Sequence, residues 1–373
     1  MTRLRMGMIG GGPGSFIGPV HRIAAELDRE IELVAGAFAS TAARSSEAGA
    51  SYHLAPDRAY ADVAGLLSGE KSRSDGLQFV AITSPNHHHL PSAKAALAAG
   101  IPVISDKPAT ATLAESLELR DAVRASGLPY ALTYTYTGYP LVREAKARIA
   151  AGAVGTIRKV VVEYPQGWLS EPAEGKQAEW RVDPKLAGAG GCIGDIGVHA
   201  FNLAEFITGL QVTHIMADLG IVVPGRLLDD DVAVLLRFNN GARGVLMASQ
   251  ISFGEANGLA IRIYGDRGAF EWKQESPNSL IHVRADGTSE IIRAGDASLG
   301  AWATSRTRTP GGHPEGYLEA FANIYRDFAA LLRGEDSPML QGIDEGVRSM
   351  AFIDVCVQNS ANPSGWADLT IPN

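Results

Sequence analysis

Apolar residues in the first third of the chain come in short, nearly unbroken blocks. Leu4–Ile9 is one, Ile31–Phe38 a second, and Leu77–Thr83 a third, centred on Phe79-Val80-Ala81-Ile82. Blocks of that length without regular polar alternation read as strands buried on both faces. Between and after them the apolar spacing turns helical, at Val20–Leu27, Pro91–Ala99 and Leu113–Ser126. Gly100 and Gly127 follow the last two as helix-ending residues. Pro102–Ser105 and Tyr130–Tyr134 supply two more strands. Strands that alternate with helices imply a parallel, doubly wound sheet, because parallel neighbours need crossover connections.

The pattern changes near residue 155. Ile157–Tyr164, Val212–Ala217, Asp231–Phe238, Ala242–Ile251 and Leu259–Tyr264 are strand-like and are joined by turn sequences such as Asn239-Asn240-Gly241 and Gly265-Asp266-Arg267-Gly268. A tight turn at Asn240-Gly241 favours antiparallel pairing. Val198–Ile207 is the main helix inside this run, and Tyr317–Leu332 and Ile343–Ser360 close the chain as helices. The fold class expected is therefore α/β: an N-terminal Rossmann-type parallel sheet over residues 1–135, then an α+β domain over 136–373 with a large, mostly antiparallel open sheet. The last helices are free to pack back on the first domain. The Gly-, Pro- and charge-rich stretches Glu171–Gly191 and Ala294–Pro314 read as loops over a site.

Composition narrows the function classes. With 46% hydrophobic and 20% charged residues the chain is an ordinary globular one. A formal charge of −8 disfavours nucleic acid or an anionic membrane as partner. The two cysteines, Cys192 and Cys356, have no metal-type spacing and fit a reducing compartment. The N-terminus carries neither a secretory signal nor a membrane span, which points to a cytoplasmic protein.

Gly10-Gly11-Gly12-Pro13-Gly14-Ser15-Phe16-Ile17-Gly18 sits between an apolar strand and a helix. Glycines there let the backbone approach a pyrophosphate, and the helix N-terminus offers free N–H groups and the positive end of its dipole. The match to G-x-G-x-x-G is irregular: Gly10 and Gly12 fit, while the third position falls on Ser15 and Gly18 comes three residues late. Either Ser15 replaces the packing glycine or the turn is expanded. The acid expected about 20 residues on, to bind a ribose 2′-OH, is missing from Gly36-Ala37-Phe38-Ala39-Ser40-Thr41. Ser40, Thr41 and Arg44 could instead donate to a 2′-phosphate, which favours NADP over NAD; alternatively Arg44 simply solvates the next helix.

Ser105-Asp106-Lys107-Pro108 follows a strand at its C-terminal end, where open α/β sheets bind ligands. A lysine there can stabilise oxygen charge during hydride transfer. Asp195 and His199, four residues apart in Gly194-Asp195-Ile196-Gly197-Val198-His199, project on one face at a helix start. Histidine has the intrinsic pKa to take a hydroxyl proton, and a neighbouring carboxylate can orient it or grip a second hydroxyl. An N-cap followed by a packed helix histidine gives the same spacing. His87-His88-His89 does not suggest a metal, since consecutive side chains point apart and no other ligand cluster accompanies them.

Together these segments resemble the glucose–fructose oxidoreductase/inositol dehydrogenase/MocA family over nearly the whole chain. The resemblance rests on the turn ending at Gly18 with His21 beyond it, on Thr83-Ser84-Pro85-Asn86-His87-His88-His89, on Asp106-Lys107-Pro108 and on Gly194–His199. It implies an NAD(P)-dependent oxidoreductase that moves a hydride between the nicotinamide and a ring hydroxyl or ketone of a sugar, glycoside or cyclitol. The catalytic residues implied are Lys107, Asp195 and His199, with Asp106 standing where the family usually has Glu. The cofactor-binding set comprises Gly10, Gly12, Gly14, Ser15, Phe16, Ile17, Ser40, Thr41, Arg44, Thr83, Pro85, Asn86, His89, Asp106 and Lys107. Trp168, Arg181 and His313, with Trp180 and Trp302, could line a sugar pocket beside Lys107, Asp195 and His199, although core or interface packing explains the tryptophans equally well. A homodimer or homotetramer is expected, and no metal. Two rival functions keep the same residues in view: an NAD-dependent glycosidase working by transient oxidation, and a catalytically silent nucleotide-binding sensor.

Overall fold

The computed structural model describes residues 2–171, 183–184 and 188–371. The chain divides into two compact units, Met1–Tyr134 with Phe321–Met350, and Thr135–Ala320 with Ala351–Asn373.

The first unit is built on five strands: β1 (Leu4–Gly10), β2 (Ile31–Ala37), β3 (Phe79–Thr83), β4 (Val103–Ser105) and β5 (Tyr130–Leu132). They form one parallel sheet in the order β2-β1-β3-β4-β5. Phe79, Val80, Ala81 and Ile82 are wholly buried, as their unbroken apolar run requires. The chain leaves β1 toward one side and returns on the other at β3. The sheet therefore has its topological switch point between the C-terminal ends of these two strands, where Gly10 pairs with Thr83. β4 ends beside β3, with Ser105 level with Ile82, so Asp106 and Lys107 follow on the same edge.

The helix after β1 begins at Ile17, three residues before the apolar spacing suggests. Pro19 falls in its first turn, where a missing N–H costs nothing. Helices Ala42–Ser51, Val63–Lys71 and Pro140–Ala150 have spacings too polar or too short to announce themselves. Helix Tyr317–Leu332 supplies Phe321, Tyr325 and Phe328 to the core of this unit, Phe328 lying edge-on to Phe79 with ring centroids 5.3 Å apart.

His21 is sealed in that core. Its Nδ1 lies 2.6 Å from the Tyr325 hydroxyl, its ring meets Phe321 edge-on, and Nε2 has no protein partner among the described residues. Burial, only partly offset by the Asp106 carboxylate, lowers its pKa to about 4. A folded-state value below the ordinary 6.5 means stability that is complete above pH 6.5 and lost as the pH falls toward 4. That shift is worth about 3 kcal/mol. Urea midpoints measured between pH 7 and 4.5 should fall more steeply for the native chain than for His21→Gln, and parallel slopes would rule out His21 as the source.

The second unit carries a nine-stranded sheet in the order β13-β12-β11-β10-β6-β9-β8-β7-β14. Its strands are β6 (Ile157–Pro165), β7 (Val212–Gly220), β8 (Asp231–Phe238), β9 (Arg243–Ser249), β10 (Ala260–Gly265), β11 (Gly268–Lys273), β12 (Ser279–Arg284), β13 (Ser289–Arg293) and β14 (Ala367–Asp368). All neighbours are antiparallel except β6 and β9. Gly241, at φ 86°, closes the β8–β9 hairpin as its Asn-Gly sequence requires. Val160, Val162, Val232, Val234, Leu246, Ile261 and Trp272 are buried on one face. Helix Val198–Thr208 packs near it and stacks Phe201 on Phe352 at 4.1 Å. The opposite face leaves Leu235, Met247, Tyr264 and Ile291 exposed. The stretch Ala294–Pro314, loop-like in sequence, contains one short helix, Ala301–Ser305. No helix among the described residues is long and apolar enough to cross a membrane.

Candidate active site

The glycine turn resolves the ambiguity of its spacing. A Cβ on Gly18 would stand 2.3 Å from the Gly11 Cα, so Gly18 is the residue that lets helix and turn touch. Ser15 does a different job: its Oγ accepts from the Gly18 N–H at the helix start. The turn is thus expanded by three residues. Gly10, Gly11 and Gly14 have φ of 94°, 78° and 81°, the left-handed region that favours glycine. A Cβ on Gly12 would meet the Phe38 carbonyl oxygen at 2.5 Å. From outside, the Tyr52 hydroxyl donates to the Gly11 carbonyl at 2.7 Å. Helix Ile17–Glu26 has no acidic side chain in its first turn, and its N-cap Phe16 makes no side-chain cap. The positive end of its dipole suits a pyrophosphate, so the residues fit a dinucleotide. Phe16 itself is 61% exposed. Ser40, Thr41 and Arg44 are exposed at the end of β2. Thr41 is occupied as the N-cap of helix Ala42–Ser51, while Arg44 reaches back to the Pro13 carbonyl at 3.4 Å.

Beside the turn, Thr83 Oγ1 donates to the Ile9 carbonyl, and a Cβ on Gly10 would stand 2.6 Å from the Ser84 nitrogen. Pro85 leads into a short 3₁₀ turn that buries Asn86. His89 is almost wholly buried, with Nδ1 2.8 Å from the Pro108 carbonyl and Nε2 2.8 Å from the Ser84 carbonyl. Its ring therefore ties the loop after β3 to the loop after β4, and the metal-like triplet is broken up because His89 is held by backbone oxygens. Asp106 Oδ1 accepts from the Lys107 backbone N–H at 2.9 Å and from Thr133 Oγ1 at 3.0 Å. The Asp106 carboxylate is thereby caught close to the chain, and it fixes the backbone of Lys107. The Lys107–Pro108 peptide is cis.

In the second unit, Asp195 lies in a π-helical turn, Ile193–Gly197, that runs directly into helix Val198–Thr208 carrying His199. Such turns bend a helix locally and recur at functional sites. Asp229 anchors the start of the turn. Its Oδ1 accepts from the Gly191 N–H at 2.6 Å, Oδ2 from the Ile193 N–H at 2.7 Å, and its carbonyl from the Cys192 N–H at 2.8 Å. Three successive amides that a helix start would leave orphaned thus find one partner. Burial raises the Asp229 pKa, against the pull of the two amides. Gln250 Nε2 donates to Asp195 Oδ2 at 2.9 Å.

His199 is 9% exposed, and the Tyr136 ring meets it edge-on, centroids 4.8 Å apart. Tyr164 stands 6.3 Å away. The Tyr136 and Tyr164 hydroxyls hydrogen-bond each other. Tyr164 donates to Asn257 Oδ1, which also accepts from Gln166 Nε2, and Gln166 Oε1 in turn accepts from the Trp168 indole N–H. Burial raises the pKa of both tyrosines, so they remain neutral hydroxyls at physiological pH. Asp195 contributes to both shifts, which puts its charge close to the same cluster. An imidazole, a carboxylate and neutral hydroxyl and amide groups around one cluster can exchange a proton and hold a polyol.

Of the residues expected at a sugar pocket, Asp195, His199 and Trp168 come together in this cluster. His313 is exposed, with Nδ1 turned to the carbonyl of Pro310 on its own turn. Trp302 packs against the guanidinium groups of Arg143 and Arg306. Trp180 and Arg181 lie outside the described residues. Tyr136, Tyr164, Gln166, Gln250, Asn257, Asp229 and Thr133 escaped the sequence reading. One signal was available for the first: Tyr134-Thr135-Tyr136-Thr137-Gly138-Tyr139 is an unusual density of tyrosine directly after the last parallel strand.

Two family models cover most of the chain. Residues 4–134 match the oxidoreductase family with an NAD-binding Rossmann fold, and residues 142–271 match the GFO/IDH/MocA C-terminal domain. An uncharacterized oxidoreductase of Bacillus subtilis (strain 168), YfiI, is 32% identical over 98% of this chain and 96% of its own length. The crystal structure of an inositol dehydrogenase homolog from Azotobacter vinelandii, complexed with NADH and myo-inositol, superimposes with a TM-score of 0.91 at 34% identity and covers 98% of each chain. A levoglucosan dehydrogenase of Pseudarthrobacter phenanthrenivorans (strain DSM 18606 / JCM 16027 / LMG 23796 / Sphe3) is 29% identical over 75% of this chain and 76% of its own length.

Proposed function

The chain belongs to the Gfo/Idh/MocA family of oxidoreductases, and from that premise we propose that it is a dehydrogenase of a cyclic polyol: a sugar, glycoside or cyclitol oxidised at a ring hydroxyl, or the corresponding ketone reduced. The observation that carries this reading is the cluster in which His199 meets Tyr136 while Asp195 is held by Gln250. Relatives described as acting on or binding levoglucosan and myo-inositol support the substrate class.

Gly10, Gly12, Gly14, Ser15, Phe16 and Ile17 would hold the dinucleotide pyrophosphate, with Thr83, Pro85 and Asn86 beside the nicotinamide end. A nicotinamide held there would supply the hydride chemistry. Lys107 Nζ donates to the reacting oxygen and stabilises its negative charge as the proton leaves. The His199 imidazole takes that proton and gives it back in the reducing direction. Asp195 accepts from a neighbouring substrate hydroxyl, with Gln250 fixing the carboxylate. Tyr136 and Tyr164, kept neutral by burial, orient the imidazole. Asp106, Thr133 and His89 position the lysine loop and do not act on substrate. The exposed apolar face of the nine-stranded sheet supports assembly as a homodimer or homotetramer.

The acid-free end of β2 and the reach of Arg44 to the glycine turn favour NADP, whereas the relative complexed with NADH favours NAD. Arg44→Ala separates them. If Arg44 meets a 2′-phosphate, KM for NADP⁺ should rise about 10-fold, the value of one charge-assisted contact, with KM for NAD⁺ unchanged. Equal effects on both cofactors would remove that role. The broader reading is tested by a panel of inositols, free sugars and glycosides, each with NAD⁺ and NADP⁺, followed at the absorbance of the reduced nicotinamide. Turnover of at least one ring polyol is expected. Silence across the panel would turn the reading toward a nucleotide-binding sensor.

A further inference from the structure

Gln250 holds Asp195 through its side chain, and Gln250 is itself held by a closed circuit of hydrogen bonds and one ion pair. The Gln250 N–H donates to the Asp230 carbonyl at 2.9 Å, and the Gln250 carbonyl accepts from the Leu169 N–H at 3.1 Å. The Leu169 carbonyl accepts from the Arg226 guanidinium, and Arg226 Nη1 lies 3.8 Å from Asp230 Oδ2. The circuit thus returns to Asp230. Leu169, Asp230 and Gln250 are buried, and the Arg226 side chain is only 7% exposed.

Local sequence explains how an arginine comes to lie there. Pro224-Gly225 forms the centre of a turn in which the Arg226 N–H donates to the Val223 carbonyl. Gly225, at φ 83°, takes the left-handed position that a type II turn requires after proline. The N–H groups of Val222 and Val223 both donate to the Asp230 carboxylate, at 2.8 and 2.9 Å. The loop between β7 and β8 is therefore wrapped around Asp230, and its far end sets the guanidinium against Leu169. Arg226 Nη2 also reaches the Glu171 carbonyl at 3.0 Å.

A guanidinium suits this position for its geometry. Its planar fork presents N–H donors in fixed directions, so one side chain can serve a carboxylate and two backbone carbonyls at once. An ion pair placed this deep adds little net stability, because desolvation offsets the attraction between the charges. What the pair fixes is the spacing between the chain leaving β6, which carries Leu169, and the chain leaving β9, which carries Gln250. The Gln166 N–H, donating to the Ser249 carbonyl at 2.7 Å, ties the same two segments one step earlier.

We propose that Arg226 and Asp230 are positioning residues for substrate recognition: by fixing the Gln250 backbone they aim its carboxamide at Asp195, and so set the grip of that carboxylate on the hydroxyl beside the reacting one. The inference rests on the role given to Asp195 in the dehydrogenase reading above.

Its test is the steady-state kinetics of Arg226→Met and Arg226→Lys on a ring polyol that the native chain turns over. Arg226→Met should raise KM for the polyol about 10-fold, part of the worth of one charge-assisted hydrogen bond, with a smaller change in kcat and none in KM for the nicotinamide cofactor. Arg226→Lys, which keeps the charge and a donor, should hold the rise to about threefold. In a Gln250→Leu chain, where the link to Asp195 is already gone, Arg226→Met should add less than about twofold, because the two residues act through one path. A general loosening of the fold would instead multiply the two effects. Thermal midpoints report folding, and where Arg226→Met does not fold, Arg226→Lys takes its place in both backgrounds. A polyol KM unmoved in the folded variants, or full multiplication in the Gln250→Leu chain, overturns the inference and leaves the dehydrogenase reading standing. Absence of polyol turnover in the native chain overturns both.

Discussion

Replacing His199 with Gln is expected to lower kcat by about 10²-fold or more, the usual worth of a positioned general base, while NAD binding followed by fluorescence titration persists. The glycine turn that would hold the dinucleotide contains no contribution from His199, which sits on helix Val198–Thr208 with its ring edge against Tyr136. The substitution also keeps a side chain of similar reach in a space that is nearly closed, so the fold should survive and a thermal midpoint will verify it. Lys107→Met should bring a comparable loss. There the backbone is fixed by Asp106 and Thr133 independently of the ammonium, so loss of rate reports the charge and not a collapsed loop. Unchanged rates in both variants would sink the assignment of either residue to the hydroxyl proton.

The second large effect is expected at a residue that touches no substrate. Asp229 satisfies the amides of Gly191, Cys192 and Ile193, the three residues that launch the π-helical turn bearing Asp195. Asp229→Asn preserves shape but turns an N–H₂ group toward one of two buried N–H donors. Leaving one donor unsatisfied costs about 2 kcal/mol of stability, visible as a lower urea midpoint. If the turn also sets the aim of Asp195 and His199, kcat should fall about 10-fold, equivalent to about 1.4 kcal/mol of lost transition-state stabilisation, with KM for the nicotinamide unmoved. A lower midpoint with native kcat would mean that Asp229 serves the fold alone. Gly191 is bound to the same arrangement, since a Cβ there would stand 2.4 Å from the Asp229 carbonyl oxygen.

The contrast between these residues shows what a sequence makes legible. Features written in consecutive residues could be read: the buried strand β3, the Asn-Gly hairpin after β8, the helix ends at Gly100 and Gly127, and the glycine turn. Even there the third glycine was ambiguous, because the choice between Ser15 and Gly18 depends on how near the helix comes to Gly11, a distance no spacing encodes. Strands β11, β12 and β13 went unseen for another reason. They are five or six residues long, and sequences such as Ser279-Leu280-Ile281-His282-Val283-Arg284 mix polar and apolar positions because one face of the sheet is open. Asp229, Tyr164 and Asn257 were invisible as site residues because they reach these partners across 28 or more positions, and long-range pairing leaves no local mark. Lys107, Asp195 and His199 could be singled out because a strand's C-terminal edge and an i, i+4 spacing mark them locally, and family resemblance then supplied their roles.

Central to the account is hydride transfer from a ring carbon that ends in net reduction of the nicotinamide. The most direct measurement uses a substrate from the panel deuterated at the reacting ring carbon, incubated with oxidised cofactor, with the reduced nicotinamide then analysed by mass. The account predicts one deuterium per reduced cofactor, accumulating in step with the ring ketone. Release of an aglycone without accumulation of labelled reduced nicotinamide would contradict it and would assign the same residues to a glycosidase that oxidises its substrate only in passing.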